Sequence, residues 1–322
     1  MRNLTTALRI FFFLIFCISP LAFETNKTAT VENAEQLDPS RINQLITKYK
    51  NTASEHEPQA LNNLGTLHLK GLGVSKNEKQ AKEYFLLAAK LGFAPAMYHL
   101  GLIFHKGLGV SVDPSRAEHW FRKAAALGDA DAQFFLATIL ASKVDDEKKI
   151  FESLEWFQLA AQNGLVSAQY NLAITRKRVN PSQVFDKTSI YWLNVAAEKL
   201  HFESLKALYF FHYSDRNKND SLSNVVSKLK RLAELGDERA QYLLGLSYYA
   251  GKGIYLDEQE GLFWIKQAAS GGLLEAQKYQ RLFSISKTSP QSKAIEYLRS
   301  DYFSRQTDIS KLKSNQIQTK IK

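Results

Sequence analysis

Between residues 60 and 276 a small residue returns every 36 positions: Ala60, Ala96, Ala132, Ala168, Ser204, Ala240 and Ala276. Leu64, Leu100, Leu136, Leu172, Leu208 and Leu244 keep the same step, and the residues after them are Gly65, Gly101, Ala137, Ala173, Tyr209 and Gly245. A second set runs in parallel. Tyr84, Trp120, Trp156, Trp192 and Trp264 are aromatic, with Lys228 the exception. Ala89, Ala125, Ala161, Ala197, Ala233 and Ala269 follow, then Gly92, Gly128, Gly164, Gly236 and Gly272, with Leu200 the departure. A fixed period of this length marks a stack of one supersecondary unit on the next. Each unit cannot bury its apolar face alone, so stability comes from neighbours.

Both halves of the unit read as helices. Ala96, Leu100, Gly101 and Phe104 recur at i, i+4, i+5 and i+8, which is one apolar face. Ala117, Phe121, Ala124 and Ala125 do the same in the second half, and Gly128 supplies the stop. The small residues let two antiparallel helices approach closely. The large aromatic at Trp120, Trp156, Trp192 and Trp264 is expected to fill the space between units.

Between the two halves stand Gly71-Leu-Gly73, Gly107-Leu-Gly109 and Gly251-Lys-Gly253. They resemble phosphate-cradling loops but lack the Gly-Lys-Ser/Thr ending and a preceding strand. The expected role is a turn with positive φ at the glycines. The third to fifth units replace these glycines, so their loops are individual while the helical period continues.

The termini differ in character. Arg2 and Arg9 precede the unbroken apolar run Ile10–Ile18, and Glu24 ends the uncharged stretch. A basic start with so short an apolar segment predicts a secretory signal peptide over 1–22, with a retained membrane anchor as the alternative. Cys17 offers a lipid-attachment reading that the bulky Phe16 argues against. The mature chain is then free of cysteine, which suits an oxidising compartment and excludes thiol chemistry. Residues 23–38 read as a linker, and Asp38-Pro39 starts a cap helix over 39–54 in which Leu45, Tyr49 and Ala53 hold second-helix positions. Six units are expected at 60–95, 96–131, 132–167, 168–203, 204–239 and 240–275. A capping repeat over 276–304 and a basic tail over 305–322 complete the chain. The formal charge of +10 suits an acidic partner or surface without defining one.

The segment Ala96-Met-Tyr-His-Leu-Gly-Leu-Ile-Phe-His-Lys-Gly-Leu-Gly-Val110, followed by Ala117, Trp120-Phe121, Ala124-Ala125 and Gly128, resembles the Sel-one-like repeat family. The likeness covers about 60–272 and is weakest in the fourth and fifth units. It implies an all-α fold, a right-handed α-solenoid of antiparallel helix pairs related to tetratricopeptide repeats, acting as an adaptor or scaffold. Exported members include periplasmic immunity proteins that neutralise antibacterial phospholipases. Others assist envelope assembly or host-cell entry. Some cysteine-rich relatives carry penicillin-binding or β-lactamase labels, but they use a disulfide in each repeat that this chain lacks. A cell-wall-active enzyme stays as the minor alternative. A eukaryotic secretory adaptor is another, which glycosylation of Asn26 or Asn219 would support.

No catalytic set emerges from the residues. The seven histidines do not recur at one repeat position, and His99 and His105 share no helix face, so neither a metal nor a cofactor is expected. What remains is a surface for another protein, in the cell envelope, with nucleic acid excluded by export. Tyr98, Phe134, Tyr170 and Tyr242 stand two residues after the repeat alanine. Phe135, Tyr209, Phe211 and Tyr249 make the first helices richer in aromatics than packing needs, and Arg176-Lys177-Arg178 adds a basic cluster. Aromatics with arginine are the residue types enriched at interface anchors. The remaining repeat positions, Gly65, Gly71, Gly73, Gly101, Gly107, Gly109, Trp120, Trp156, Trp192, Gly251, Gly253 and Trp264, are read as structural.

Overall fold

A computed structural model describes residues 38–54, 56–180, 185–213 and 219–285. The expected signal peptide, the linker, the last capping helix and the basic tail lie outside these residues. Every regular element among them is an α-helix, fourteen in all. The chain divides into two compact units between Asp129 and Ala130. Unit 1 holds α1 (Pro39–Ser54), α2 (Pro58–Lys70), α3 (Glu78–Lys90), α4 (Ala94–Lys106) and α5 (Pro114–Ala126). Unit 2 holds α6 (Ala130–Ser142), α7 (Glu147–Gln162), α8 (Val166–Val179), α9 (Lys187–Glu198), α10 (Phe202–Tyr213), α11 (Asn219–Glu234), α12 (Glu238–Ala250), α13 (Glu258–Ser270) and α14 (Leu274–Ile285). Within each unit consecutive helices pair as an α-solenoid. Each repeat pair begins two residues before its period alanine.

The closest approach inside a pair explains the small residue after the repeat leucine. A Cβ added at Gly65 would lie 2.7 Å from the Phe85 ring, and one at Gly101 would lie 2.5 Å from Phe121. At Gly245 the clash would be with Ile265, at 2.6 Å. The side chain twenty residues after the small one therefore fills the groove between the helices. Phe85, Phe121, Phe157, Leu193, Leu229 and Ile265 are all 1% exposed or less. This corrects the expectation for the aromatic one place earlier. Trp120, Trp156 and Trp264 are only half-buried, and Trp192 is buried. The Trp156 and Trp264 indole N–H groups donate to Glu152 and Glu260 one turn back, at 3.2 and 3.1 Å. A tryptophan that keeps its N–H at the helix surface covers the core edge and does not fill its centre.

The glycine pairs divide two tasks. Gly71, Gly107 and Gly251 adopt φ of 74°, 71° and 60° and end their helices in the left-handed conformation. Their N–H groups satisfy carbonyls of the last turn, Gly71 on Leu67 and Gly107 on Ile103. Gly73, Gly109 and Gly253 press onto the preceding second-layer helix. A Cβ there would strike Ile42 and Ile46 of α1, Glu78 of α3, and Val226 and Leu222 of α11, respectively. Both tasks demand the absence of a side chain, so no phosphate needs to be invoked. The loop then closes on its own first helix: the Asn77 and Asp113 N–H groups donate to His68 and Phe104 carbonyls at 2.8 and 2.9 Å. The same two side chains cap α3 and α5.

A further periodic residue escapes a hydrophobic reading of the sequence. Gln133, Gln169, Gln241 and Gln277 follow the repeat alanine at the 36-residue step, and Leu205 interrupts them. The amides of Gln169, Gln241 and Gln277 donate to the carbonyls of Ala161, Ala233 and Ala269, at 3.3, 3.1 and 3.1 Å. Each joins a first helix to the last turn of the previous second helix. The Ala233 carbonyl also accepts from the Gly236 N–H, so losing the glutamine does not orphan it. Gln241→Leu is therefore expected to cost only about 1 kcal/mol, read as a small drop in urea midpoint. Leu205 shows that an apolar side chain fits this position.

Candidate functional site

The first-layer aromatics do not all face solvent. Tyr98 lies 6.0 Å from Phe121, centroid to centroid, and Phe134 lies 5.9 Å from Phe157. Tyr170 reaches His201 at 5.3 Å and Tyr242 reaches Tyr279 at 6.2 Å. These half-buried rings join helices of the scaffold, and Phe135 stands edge-on to its neighbour Phe134 at 5.8 Å. Tyr209 and Tyr249 are corrected outright as surface candidates, being 0% and 1% exposed. Tyr209 occupies the glycine position of its repeat, and its hydroxyl sits 3.2 Å from Ser247 Oγ inside the core. Burial pushes the Tyr209 hydroxyl far above its ordinary range, and burial with Glu258 nearby pushes Tyr249 to about 12. Both stay neutral in the core.

Two of the histidines stack on aromatic rings. Burial, aided by Lys70, lowers His99 to about 4, and its ring stacks on Phe85 at 4.7 Å. His68 stacks on Tyr84 at 5.6 Å. Among the described residues no group of three or more His, Cys, Asp or Glu side chains could hold a metal ion.

The basic cluster at the end of α8 splits into three different environments. Arg176 turns inward to Asp186, with Nη2 at 2.6 Å and Nε at 3.2 Å from one carboxylate oxygen. Asp186 caps α9 by accepting from the Ser189 N–H at 2.7 Å. Burial raises the Asp186 pKa, but hydrogen bonds from Arg176 and Ser189 outweigh that and hold it at about 2. A depressed carboxylate contributes stability above its unfolded value, near 3.9, and loses it as pH falls toward the folded value. The pH dependence of unfolding should therefore weaken between about pH 4 and 2 in Asp186→Asn relative to the parent. Equal slopes in acid urea titrations would remove this cap from the account. Arg178 donates from Nη2 to the Ala141 carbonyl at the end of α6, at 2.7 Å. Both arginines thus brace the fold.

Lys177 is different. Its ammonium lies over the Phe185 ring, 4.7 Å from the centroid, half-buried and without an ion pair among the described residues. Burial lowers its pKa, and no neighbouring acid offsets this. Phe185 meets Phe211 of α10 at 6.2 Å. Tyr213 lies in turn under Lys252, whose ammonium is 5.4 Å from the ring centroid. Lys177, Phe185 and Phe211 form one cluster and Tyr213 with Lys252 a second, both where first-layer helices of unit 2 end. Sequence reading found Lys177 and Phe211 but missed Phe185, Tyr213 and Lys252. The signal was present in the period: Lys252 stands where Leu72 and Leu108 stand in the first two loops, and Tyr213 and Lys177 stand where Leu69 stands.

With this geometry the comparisons agree. The family model of the Sel1 repeat matches residues 58–93, 94–129, 130–165 and 238–273. The chain carries four Sel1 repeats. The stretch between the third and fourth matches, 166–237, holds the pairs α8/α9 and α10/α11, where the loop glycines are absent. A crystal structure of a protective antigen from uropathogenic Escherichia coli with an SLR fold is similar over 88% of this chain and 69% of its own. The TM-score is 0.62 at 22% identity. A Sel1 repeat protein from Oxalobacter formigenes is 26% identical, with TM-score 0.50, over 84% of this chain and 95% of its own. No described helix is long and apolar enough to cross a membrane.

Proposed function

We propose that this chain is a non-catalytic, protein-binding scaffold of the cell envelope. The observation that carries the reading is the edge of unit 2, where half-buried lysines rest on aromatic rings without ion pairs among the described residues, on a fold otherwise given over to helix packing. Aromatic and cationic side chains together form the anchors of protein interfaces. Helix pairs already fixed by caps and glycine turns lose little conformational freedom on docking, which favours affinity. The periplasmic assignment rests on the apolar run behind Arg2 and Arg9. The sharper form is an immunity protein that blocks a secreted antibacterial phospholipase by stoichiometric capture. Its support is the family resemblance together with a leader-like start ahead of repeats.

The test is direct. The full gene is expressed in a Gram-negative host, the periplasmic fraction is taken, and the protein is sequenced from its N-terminus. The expected start lies near Phe23. A chain that retains Met1 in the cytoplasm would exclude the envelope reading. The purified protein, titrated against phospholipases exported by competing bacteria, should abolish lipid hydrolysis by one of them at a molar ratio near one. No inhibition across such a set would remove the immunity form and leave the scaffold.

A further inference from the structure

Some lysines of this protein pair with carboxylates. Lys76, Lys149 and Lys228 reach Glu78, Asp146 and Glu198 at 3.0, 3.7 and 3.1 Å. Lys177 and Lys252 are half-buried, lie on aromatic faces, and have no ion pair among the described residues. A desolvated cation is unfavourable unless something compensates it. The aromatic faces supply part of that, on the order of 1–2 kcal/mol each, and the negative ends of α8 and α12 supply a further part. Neither explains why a lysine stands at position 252 where leucine serves in the first two loops. An anion arriving from outside does.

Resting on the scaffold reading above, the geometry points to a docking strip for an extended acidic peptide segment of a partner protein. Carboxylates would meet Lys177 at one end and Lys252 at the other. An apolar or aromatic side chain between them would seat on Phe185 and Phe211. Lys177 and Lys252 belong to repeats separated by two helix steps, roughly 20 Å at about 10 Å per step. About six residues of extended chain span that distance. The cations are recessed against rings and do not project from a flat face. That geometry favours threaded carboxylates over the headgroups of an anionic bilayer.

The test uses the full chain as bait for a library of random dodecapeptides displayed on phage. Selected peptides should be rich in Glu and Asp with an aromatic or large apolar residue between them. Their affinity should fall at least tenfold in K177Q/K252Q and be retained in K177R/K252R, which keeps the charge. Thermal melts of both variants establish that they fold. If the double glutamine variant does not fold, Lys252→Gln alone carries the test, because its side chain stands on a loop. Selected peptides without net negative charge, or acidic peptides that bind the glutamine variant equally well, would overturn the strip while leaving the scaffold reading intact. Lysine-dependent sedimentation with phosphatidylglycerol vesicles, in the absence of lysine-dependent peptide binding, would assign the edge to a membrane and overturn the proposal.

Discussion

Phe121→Ala is expected to destabilise the protein by about 3–5 kcal/mol. The neighbouring Trp120→Ala should lose only about 1–2 kcal/mol. The contrast follows from placement. Phe121 is 0% exposed and lies across the groove that Gly101 leaves open, so its removal empties a site that the glycine cannot fill. Trp120 is half-buried and carries Lys123 over its ring at 5.0 Å. Truncating it opens the surface instead of the core. Urea unfolding of the two variants side by side is the measurement. Equal losses would mean that the tryptophan, not the phenylalanine, is the wedge of the repeat.

The second large effect separates conformational from steric demand at glycine. Gly109 and Gly128 both have positive φ, 66° and 91°. A Cβ at Gly109 would lie 2.8 Å from Glu78 Cβ and 3.2 Å from its backbone carbon, whereas nothing lies within 4 Å of one at Gly128. Gly128→Ala should therefore cost about 1 kcal/mol, the left-handed strain alone. Gly109→Ala adds a clash with backbone and should reach roughly 3 kcal/mol. If both substitutions cost the same, the loop does not press on α3.

These contrasts mark what the sequence discloses. The step of 36 residues, the small residue after the repeat leucine and the glycine turns place the helix pairs, because each leaves a visible gap in an apolar face. The identity of the wedge is less visible. Trp120 and Phe121 are adjacent and both large, and only the side-chain direction from the helix decides which one enters the groove. The glutamines that join neighbouring pairs are hidden for another reason: polar residues inside an apolar period read as departures from it. At the candidate surface the same limit applies. Tyr209 and Tyr249 look like surplus aromatics by count, yet Tyr209 stands at a repeat position that faces inward and takes the volume that glycine concedes elsewhere. Arg176 reads as a free basic residue until Asp186, ten positions on, is folded back against it. Lys252 was legible in principle, since a charged residue in the slot of Leu72 and Leu108 is the kind of departure that marks function.

Proteins built this way gain stability from neighbours, so surface departures late in the chain are tolerated as long as the wedge and the turns persist. That is the pattern of α8 to α13: loop glycines are lost and regained, the wedge position holds Leu193, Leu229 and Ile265, and cationic and aromatic residues gather where the first-layer helices end. The claim is that this edge holds another protein. It is tested most directly by placing a photo-cross-linking amino acid at Phe211 in one chain and at Tyr191 in another, each made in cells from the whole sequence. Tyr191 is 59% exposed on α9 and serves as the control. Illumination should give one protein adduct from position 211, joined through an acidic peptide and lost when Lys177 and Lys252 are both glutamine. Adducts from position 191 alone, or none from either position, would contradict the account.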